Sequence, residues 1–142
     1  MVKLIIELGV VNQYRQLYAS DGEKVFEIFK EYSNLDREAF WVIPLTQKNE
    51  VIDICLVSIG SLTEATVHPR EVFKPLIIRS AARCILVHNH PSGDVTPSVK
   101  DLALTTKLQK CGEFLDIPII DHVIVSSGRV TTYYSFCEMR IL

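Results

Sequence analysis

The sequence has no closely spaced cysteines, and their absence excludes several kinds of metal site and redox motif. Its four cysteines, Cys55, Cys84, Cys111 and Cys137, are far apart in the chain. None of them forms a Cys-x-x-Cys pair of the kind that binds zinc or exchanges disulfides. Because Cys55, Cys84 and Cys137 have apolar or aromatic neighbours, we expect buried free thiols in a reducing compartment, with the cytoplasm as the default.

The sequence also has no excess of positive charge. Its 15 lysines and arginines are outnumbered by 17 acidic side chains, which gives a net charge of −2. A nucleic-acid-binding surface depends on a strong positive field. The overall charge therefore makes nucleic acid a weakly supported partner, although it leaves room for a local basic patch.

Long apolar runs are absent as well. No stretch approaches the ~18 apolar residues that a membrane-spanning helix needs. Glu7 interrupts the N-terminal run Val2–Leu8, which we interpret as a strand or an ordered arm, and no small-residue cleavage site follows it. We expect no membrane segment and no signal peptide. The length of 142 residues suits one domain over 1–142. We expect its first part, over 1–20, to be a short N-terminal extension.

Helical and strand patterns alternate along the chain. Helices are predicted over 21–32, from Pro69 onward with Pro75 as an interruption, and over 98–112 with Leu102, Leu104 and Leu108 facing inward. Strands are predicted over 40–45, 51–59, 84–88, 117–125 and 129–132. Since the two kinds of element intermix, we expect an α/β fold with a mixed β-sheet flanked by helices.

The segment from His88 to Asp101 contains the residue types of a metal site. His88 and His90 are two positions apart, so their side chains point to one side of an extended chain. They follow an apolar run typical of a buried strand, and the carboxyl end of such a strand is where an α/β sheet opens its binding crevice. Asp101 stands in the first turn of the next predicted helix, which can bring its carboxylate to the same point. Three such ligands leave a fourth zinc position for water, as in catalytic zinc sites.

The same residues also have a purely structural explanation. Ser98 and Asp101 have the spacing of a helix capping box, in which Asp101 would serve the helix end alone. A histidine at a strand end is more often a surface or core residue than a ligand, and Gly93 and Pro97 are ordinary loop residues. By spacing alone, both explanations stay open.

The complete segment resembles a known motif. It matches His-x-His-Pro-x6-Ser-x-x-Asp, the JAMM motif of the JAB1/MPN metal-dependent peptidases, at His88, His90, Pro91, Ser98 and Asp101. The strings His-Pro-Arg-Glu-Val-Phe from residue 68, His-Asn-His-Pro-Ser-Gly-Asp from residue 88 and Asp-His at residue 121 are similar to the RadC family. The resemblance covers residues 30–138 and implies an MPN-like domain with an architecture like that of cytidine deaminases.

The resemblance implies a role for each motif residue. His88, His90 and Asp101 would ligate zinc, and Ser98 would help to stabilise the oxyanion of a tetrahedral intermediate. An upstream glutamate would be the general base that takes a proton from the attacking water.

The glutamate has to be chosen, because it lies outside the contiguous motif. We select Glu38, which opens a predicted strand at the position where RadC-like chains have their early glutamate. Glu50, Glu64 and Glu71 are the rivals. His122 is interpreted as a structural histidine, with support of the metal ligands as the alternative.

The implied function is zinc-dependent hydrolysis of peptide or isopeptide bonds, with a protein or peptide as substrate. One alternative is an interaction domain that binds metal without turnover, and another is an accessory role in DNA repair, the traditional assignment of the RadC family. Full-length RadC proteins have a helical N-terminal region similar to DNA-binding helix-hairpin-helix modules, and the residues before Glu38 are too few to form it. Val95 also departs from the family, which usually has proline there.

The charge balance makes a testable prediction about DNA. With a net charge of −2, the chain has little positive potential with which to release counterions from a duplex. We expect duplex DNA to bind no more tightly than in ordinary non-specific complexes, with a Kd of about 10⁻⁶ M or weaker at physiological salt. Fluorescence anisotropy of a labelled duplex at two salt concentrations measures this, and tight binding that salt weakens steeply would contradict it.

Overall fold

A computed structural model describes residues 17–60, 67–127 and 131–142 of the protein. The predicted strand at 2–8 and the rival base Glu64 lie outside these residues.

A five-stranded mixed β-sheet occupies the centre of the described chain. Its strands are β1 (Ala39–Leu45), β2 (Cys55–Ile59), β3 (Arg83–Asn89), β4 (Ile119–Ser127) and β5 (Thr131–Ser135). They lie in the order β2-β1-β3-β4-β5. The β3–β4 pair is parallel and the other pairs are antiparallel. The expected mixed sheet is confirmed, and β3, which ends at the paired histidines, is its central strand.

Within residues 17–60, 67–127 and 131–142, three α-helices flank the sheet: α1 (Gly22–Phe29), α2 (Pro69–Ile78) and α3 (Val99–Leu115). The cap of α1 is the predicted one, since the carboxylate of Asp21 accepts a hydrogen bond from the Lys24 N–H at 2.9 Å. The second helix begins at Pro69, as predicted, and includes Pro75. In the described ranges, no helix has the length and apolar character needed to cross a membrane.

Alternating residues of the central strands build a core on each face of the sheet. On one face Trp41, Ile43 and Val87 pack with Phe29 of α1. On the other face Phe40, Val42 and Leu86 pack with residues of α2 and α3, namely Val72, Phe73, Leu76, Leu104 and Leu108. Because side chains alternate along a strand, His88 lies on the same face as Leu86 and therefore faces α3.

Two strand boundaries differ from their predictions, and the first has a clear physical reason. The strand predicted over 51–59 begins only at Cys55. Before it, the carboxylate of Asp53 accepts hydrogen bonds from the Ile54 N–H at 2.7 Å and from Arg79 Nε at 2.6 Å. Such a local side-chain bond to the backbone competes with regular strand pairing. The last predicted strand, over 129–132, is β5 and ends at Ser135.

The inward side of α3 also differs from its prediction. Its buried positions are Asp101, Leu104, Thr105, Leu108 and Gly112, which follow helical spacing. Leu102 lies beside this stripe and is 38% exposed, so its predicted inward position is wrong. Two of these buried positions are the polar residues Asp101 and Thr105. A prediction from apolar periodicity alone therefore placed the inward side of α3 incorrectly.

The cysteines are free but not uniformly buried. Cys84 is buried, Cys55 and Cys111 are partly buried, and Cys137 is exposed, so the prediction of a buried thiol is wrong for Cys137. Burial raises the pKa of the Cys84 thiol to about 12, which keeps it protonated and unreactive at neutral pH. Cys137 follows β5 in a turn, where its aromatic neighbour Phe136 takes the buried position.

Candidate metal centre

The end of β3 delivers the two histidines. His88 pairs with Phe40 of β1 and with Ile124 of β4, and it is 1% exposed. His90 follows directly after the strand. Its backbone N–H donates to the Val125 carbonyl at 2.9 Å, and its own carbonyl accepts a hydrogen bond from the Ser126 hydroxyl at 3.0 Å. These bonds to β4 keep the chain extended through His90, so both imidazoles lie on one side.

The start of α3 delivers Asp101. Ser98 is the N-cap, and its Oγ accepts a hydrogen bond from the Asp101 N–H at 3.1 Å. The Ser98 N–H donates in turn to Asp101 Oδ2 at 2.7 Å. The same carboxylate faces the histidines, with Oδ1 at 3.3 Å from His88 Nε2 and Oδ2 at 3.4 Å from His90 Nε2. Capping and metal ligation were alternatives in the sequence, and the geometry of Asp101 accommodates both.

The three side chains converge on a common point. His88 Nε2 and His90 Nε2 are 2.9 Å apart, and one ligand atom from each of the three residues lies within 4.8 Å of the others. Ligand atoms around a tetrahedral zinc ion are about 3.3 Å apart, given bonds of about 2.0–2.1 Å. The observed separations of 2.9, 3.3 and 3.4 Å fit this value within a few tenths of an ångström. The group can therefore bind a metal ion.

The loop between β3 and α3 orients the ring of His90. Its Nδ1 lies 2.7 Å from the carbonyl oxygen of Asp94. A carbonyl only accepts, so Nδ1 carries a proton, and in the neutral ring Nε2 has a free lone pair. The tight turn uses Gly93 at a φ of 91°, where other residues are strained. Asp94 Oδ1 accepts a hydrogen bond from the Thr96 N–H at 2.9 Å, which helps to hold the loop in this conformation.

Burial and pairing set the protonation of the site. Burial lowers the pKa of His88 and outweighs the opposing effect of Asp101. Burial also lowers the pKa of His90, but its hydrogen bonds to Asp101 and to the Asp94 carbonyl reverse the direction and raise it overall. Burial would raise the pKa of Asp101, yet hydrogen bonds from both histidines hold it far below its usual range. The site therefore keeps an ionised carboxylate beside two imidazoles, a donor set suited to zinc.

Glu38 lies beside these residues, directly before β1. The register pairs Phe40 with His88, so its continuation places Glu38 opposite His90. Glu38 is half-buried, and its charge opposes the lowering of the His88 pKa by burial and adds to the raising of the His90 pKa. Among the described glutamates that were rivals, Glu50 accepts hydrogen bonds from Tyr18 and Thr46, and Glu71 pairs with Arg70 at 3.5 Å. These contacts hold the rivals in other parts of the structure.

Asn89 fixes the backbone on both sides of Glu38, although no sequence pattern singles it out. Its side chain is fully buried between β1 and β3. Asn89 Oδ1 accepts from the Ala39 N–H at 2.7 Å, and Asn89 Nδ2 donates to the Arg37 carbonyl at 3.0 Å. Asn89, which stands between the two histidines, therefore fixes the backbone position of Glu38 through its two neighbours.

The structure places Ser98 at the edge of the site rather than among the converging atoms. It is exposed, and its Oγ is the acceptor in the bond from the Asp101 N–H. In that bond the hydroxyl hydrogen is not used, so Ser98 retains a donor next to the carboxylate of Asp101.

His122 contacts the site directly, which its interpretation as a structural histidine missed. It lies on β4, fully buried, with Nε2 at 2.8 Å from His88 Nδ1. Its neighbour Asp121 is structural: the Asp121 carboxylate accepts hydrogen bonds from the Ser135 hydroxyl at 2.6 Å and the Cys137 N–H at 2.9 Å. The two residues of this pair thus serve opposite faces of the strand. The alternation of β4 was the signal that could have separated them.

Comparison with known proteins identifies a matching family. The family model described as the RadC-like JAB domain matches residues 19–141. The chain belongs to the RadC-like JAB domain family. The match extends beyond the 30–138 expected from the sequence motifs, at both ends.

Curated bacterial relatives of this RadC-like JAB domain are named UPF0758 proteins. The relative from Clostridioides difficile is 50% identical over 108 residues, which cover 76% of this chain and 45% of the relative. The relative from Desulforudis audaxviator is 47% identical over 105 residues, covering 74% and 46%. The relative from Caldanaerobacter subterraneus is 43% identical over 145 residues, covering 95% and 62%. The chain thus spans about half the length of most of these relatives.

The convergence of three ligands predicts the effect of removing one. Purified protein supplied with zinc should contain about one ion per chain, and His90→Ala should lose most of it, because two remaining ligands bind far more weakly than three. Metal analysis by mass spectrometry after gel filtration measures this. The control is His68→Ala, since His68 precedes α2 and is outside the ligand group. Equal zinc in His90→Ala and His68→Ala would reject the assignment.

Proposed function

We propose that this RadC-like JAB domain is a zinc-dependent hydrolase of peptide or isopeptide bonds. The observation that supports this most is the convergence of His88 Nε2, His90 Nε2 and an Asp101 carboxylate oxygen, with separations of 2.9–3.4 Å. Two imidazoles and one carboxylate make a three-ligand set, and catalytic zinc sites keep their fourth position for water. The side chains of His90 and Asp101 are 12% and 11% exposed, so the group borders on solvent.

The chemistry divides between the metal and the protein. A bound zinc ion would polarise the carbonyl to be cleaved and would lower the pKa of water to about 7. Glu38 accepts a proton from the attacking water at its carboxylate and passes it to the leaving amine nitrogen. Its position at the start of β1, opposite His90, supports this role. Asn89 contributes by holding the backbone of Arg37 and Ala39, which reduces the freedom of the residue between them.

Ser98 contributes by stabilising the oxyanion that forms from the carbonyl under attack. Its hydroxyl hydrogen is not used in the bond from Asp101 N–H, so it can be donated to the oxygen on which negative charge develops. The positive end of α3 points in the same direction, because the first turn of a helix has backbone N–H groups without helical partners. A developing oxyanion next to this turn would therefore be stabilised both by Ser98 and by the helix.

The position of Glu38 predicts a separation of metal binding from catalysis. Glu38→Gln removes the proton acceptor while preserving size, so turnover should fall by about 10²–10⁴-fold and zinc content should stay unchanged. Release of new amine groups from a mixed-peptide library and from isopeptide-linked peptides measures the turnover. Glu71→Gln is the matched control, since Glu71 pairs with Arg70 in the first turn of α2.

Two results would contradict this proposal in different ways. Unchanged turnover in Glu38→Gln would assign the base to another residue. No amine release by zinc-loaded wild-type protein from either class of substrate would leave metal binding standing and would reject the hydrolase itself.

A further inference from the structure

A chain of buried hydrogen bonds leads from His88 away from the metal centre. His88 Nδ1 is 2.8 Å from His122 Nε2, and His122 Nδ1 is 2.6 Å from Thr105 Oγ1. The Thr105 hydroxyl is in turn 2.7 Å from the backbone carbonyl of Asp101. His88, His122 and Thr105 are 1%, 0% and 3% exposed. The chain therefore begins at one ligand and ends at the backbone of another.

The chain can run in only two directions, and it is satisfied at every contact in only one of them. Each neutral imidazole has one donor nitrogen and one acceptor nitrogen, and the Thr105 hydroxyl has a single hydrogen. In the outward direction His88 Nδ1 donates to His122, His122 Nδ1 donates to Thr105, and Thr105 donates to the Asp101 carbonyl. In the inward direction Thr105 donates to His122, and His122 Nε2 donates to His88, so the Thr105 oxygen faces the Asp101 carbonyl at 2.7 Å with no hydrogen between them. Mixed arrangements place two donors or two acceptors face to face.

The two directions differ at the atom that faces the metal. In the outward direction the proton of His88 is on Nδ1, so Nε2 has a free lone pair. In the inward direction the proton of His88 is on Nε2, where it points at Asp101 Oδ1, 3.3 Å away. A protonated nitrogen cannot bind a metal ion, so metal binding selects the outward direction.

We propose that Thr105 and His122 are positioning residues that fix the tautomer of His88 for metal binding. This inference rests on the metal centre of the proposed function and does not depend on what is hydrolysed. The backbone carbonyl of Asp101 lies at the far end of these hydrogen bonds. Because a carbonyl can only accept, it favours the outward direction.

Aromatic rings surround the imidazole of His122, so its polar contacts are those with His88 and Thr105. The ring of Phe136 stacks on His122 with centroids 4.7 Å apart, and the ring of Phe40 contacts it edge-on at 5.7 Å. Both aromatic side chains are fully buried. They separate the imidazole from solvent, so loss of Thr105 would leave the Nδ1–H of His122 without an acceptor, a costly condition for a buried donor.

The test is Thr105→Val, which removes the hydroxyl with little change in shape. In metal-free protein His122 can then adopt the inward tautomer, so folding is largely preserved. Metal binding forces the outward tautomer and buries an unpaired N–H, so zinc affinity should fall by about 10- to 100-fold, the usual effect of losing a residue that orients a ligand. Competition with a chromophoric chelator gives the Kd, and thermal unfolding of the metal-free proteins checks the fold.

Two variants distinguish the hydroxyl from its surroundings. Thr105→Ser retains the hydroxyl and should keep zinc affinity close to that of the wild type. Thr106→Val removes a hydroxyl that also donates to a carbonyl four residues earlier, at 2.9 Å, but from an exposed position. It should leave zinc affinity unchanged. In zinc-loaded wild-type protein, nitrogen NMR should show His122 protonated at Nδ1 and bare at Nε2.

Each outcome decides the inference. Wild-type affinity in Thr105→Val, failure of Thr105→Ser to restore affinity, or a His122 ring protonated at Nε2 in the zinc-loaded protein would overturn it. Absence of zinc binding by the wild type would overturn both the metal centre and this inference. Zinc binding without peptide hydrolysis would reject the proposed activity alone and leave the positioning role intact.

Discussion

The carboxylate of Asp101 is shared between the start of α3 and the two histidines. It accepts the Ser98 N–H at 2.7 Å, which closes the capping box, and it approaches His88 and His90 at 3.3 and 3.4 Å. The cap fixes where the helix begins, and the beginning of the helix fixes where the carboxylate points. A shift of the sequence by one residue along α3 would turn this side chain by about 100°, given 3.6 residues per turn, and the group would no longer converge.

The sheet supplies the other half of the geometry. Because β3 is central, His88 is held between Phe40 on β1 and Ile124 on β4, and its ring cannot leave the face that α3 covers. The parallel β3–β4 pair also needs a connection that crosses the sheet, and α3 forms it. One βαβ unit thus provides the two histidines, the aspartate and the supporting chain through Thr105 and His122. The neighbouring strand β1 brings Glu38, so the candidate base belongs to a different element from the ligands.

The sequence predicted those parts of the structure that depend on local patterns. The apolar runs of β1, β3 and β4 were recognisable because both faces of these strands are buried. The pair His88 and His90 was recognisable because strand alternation places them on one side. The inward stripe of α3 was partly missed, since Asp101 and Thr105 are polar and Leu102 is exposed. The late start of β2 depends on the contact between Asp53 and Arg79, which no local pattern encodes.

The supporting residues of the site could not be predicted for the same reason. Thr105 and His122 meet across 17 positions of sequence, and Asn89 reaches Ala39 across 50. Their partners are set by sheet order and by the packing of α3, which arise only when the chain folds. The motif identifies the candidate ligands from the sequence alone, whereas only the tertiary structure identifies the residues that contact and support them.

The central claim is that His88, His90 and Asp101 hold one zinc ion through the ring Nε2 atoms and a carboxylate oxygen. Anomalous diffraction at the zinc absorption edge, from crystals of zinc-loaded protein, tests this most directly. The account predicts one strong peak at about 2.0–2.2 Å from His88 Nε2, His90 Nε2 and an Asp101 oxygen. A fully zinc-loaded crystal with its peak elsewhere, or with a histidine bound through Nδ1, would contradict it.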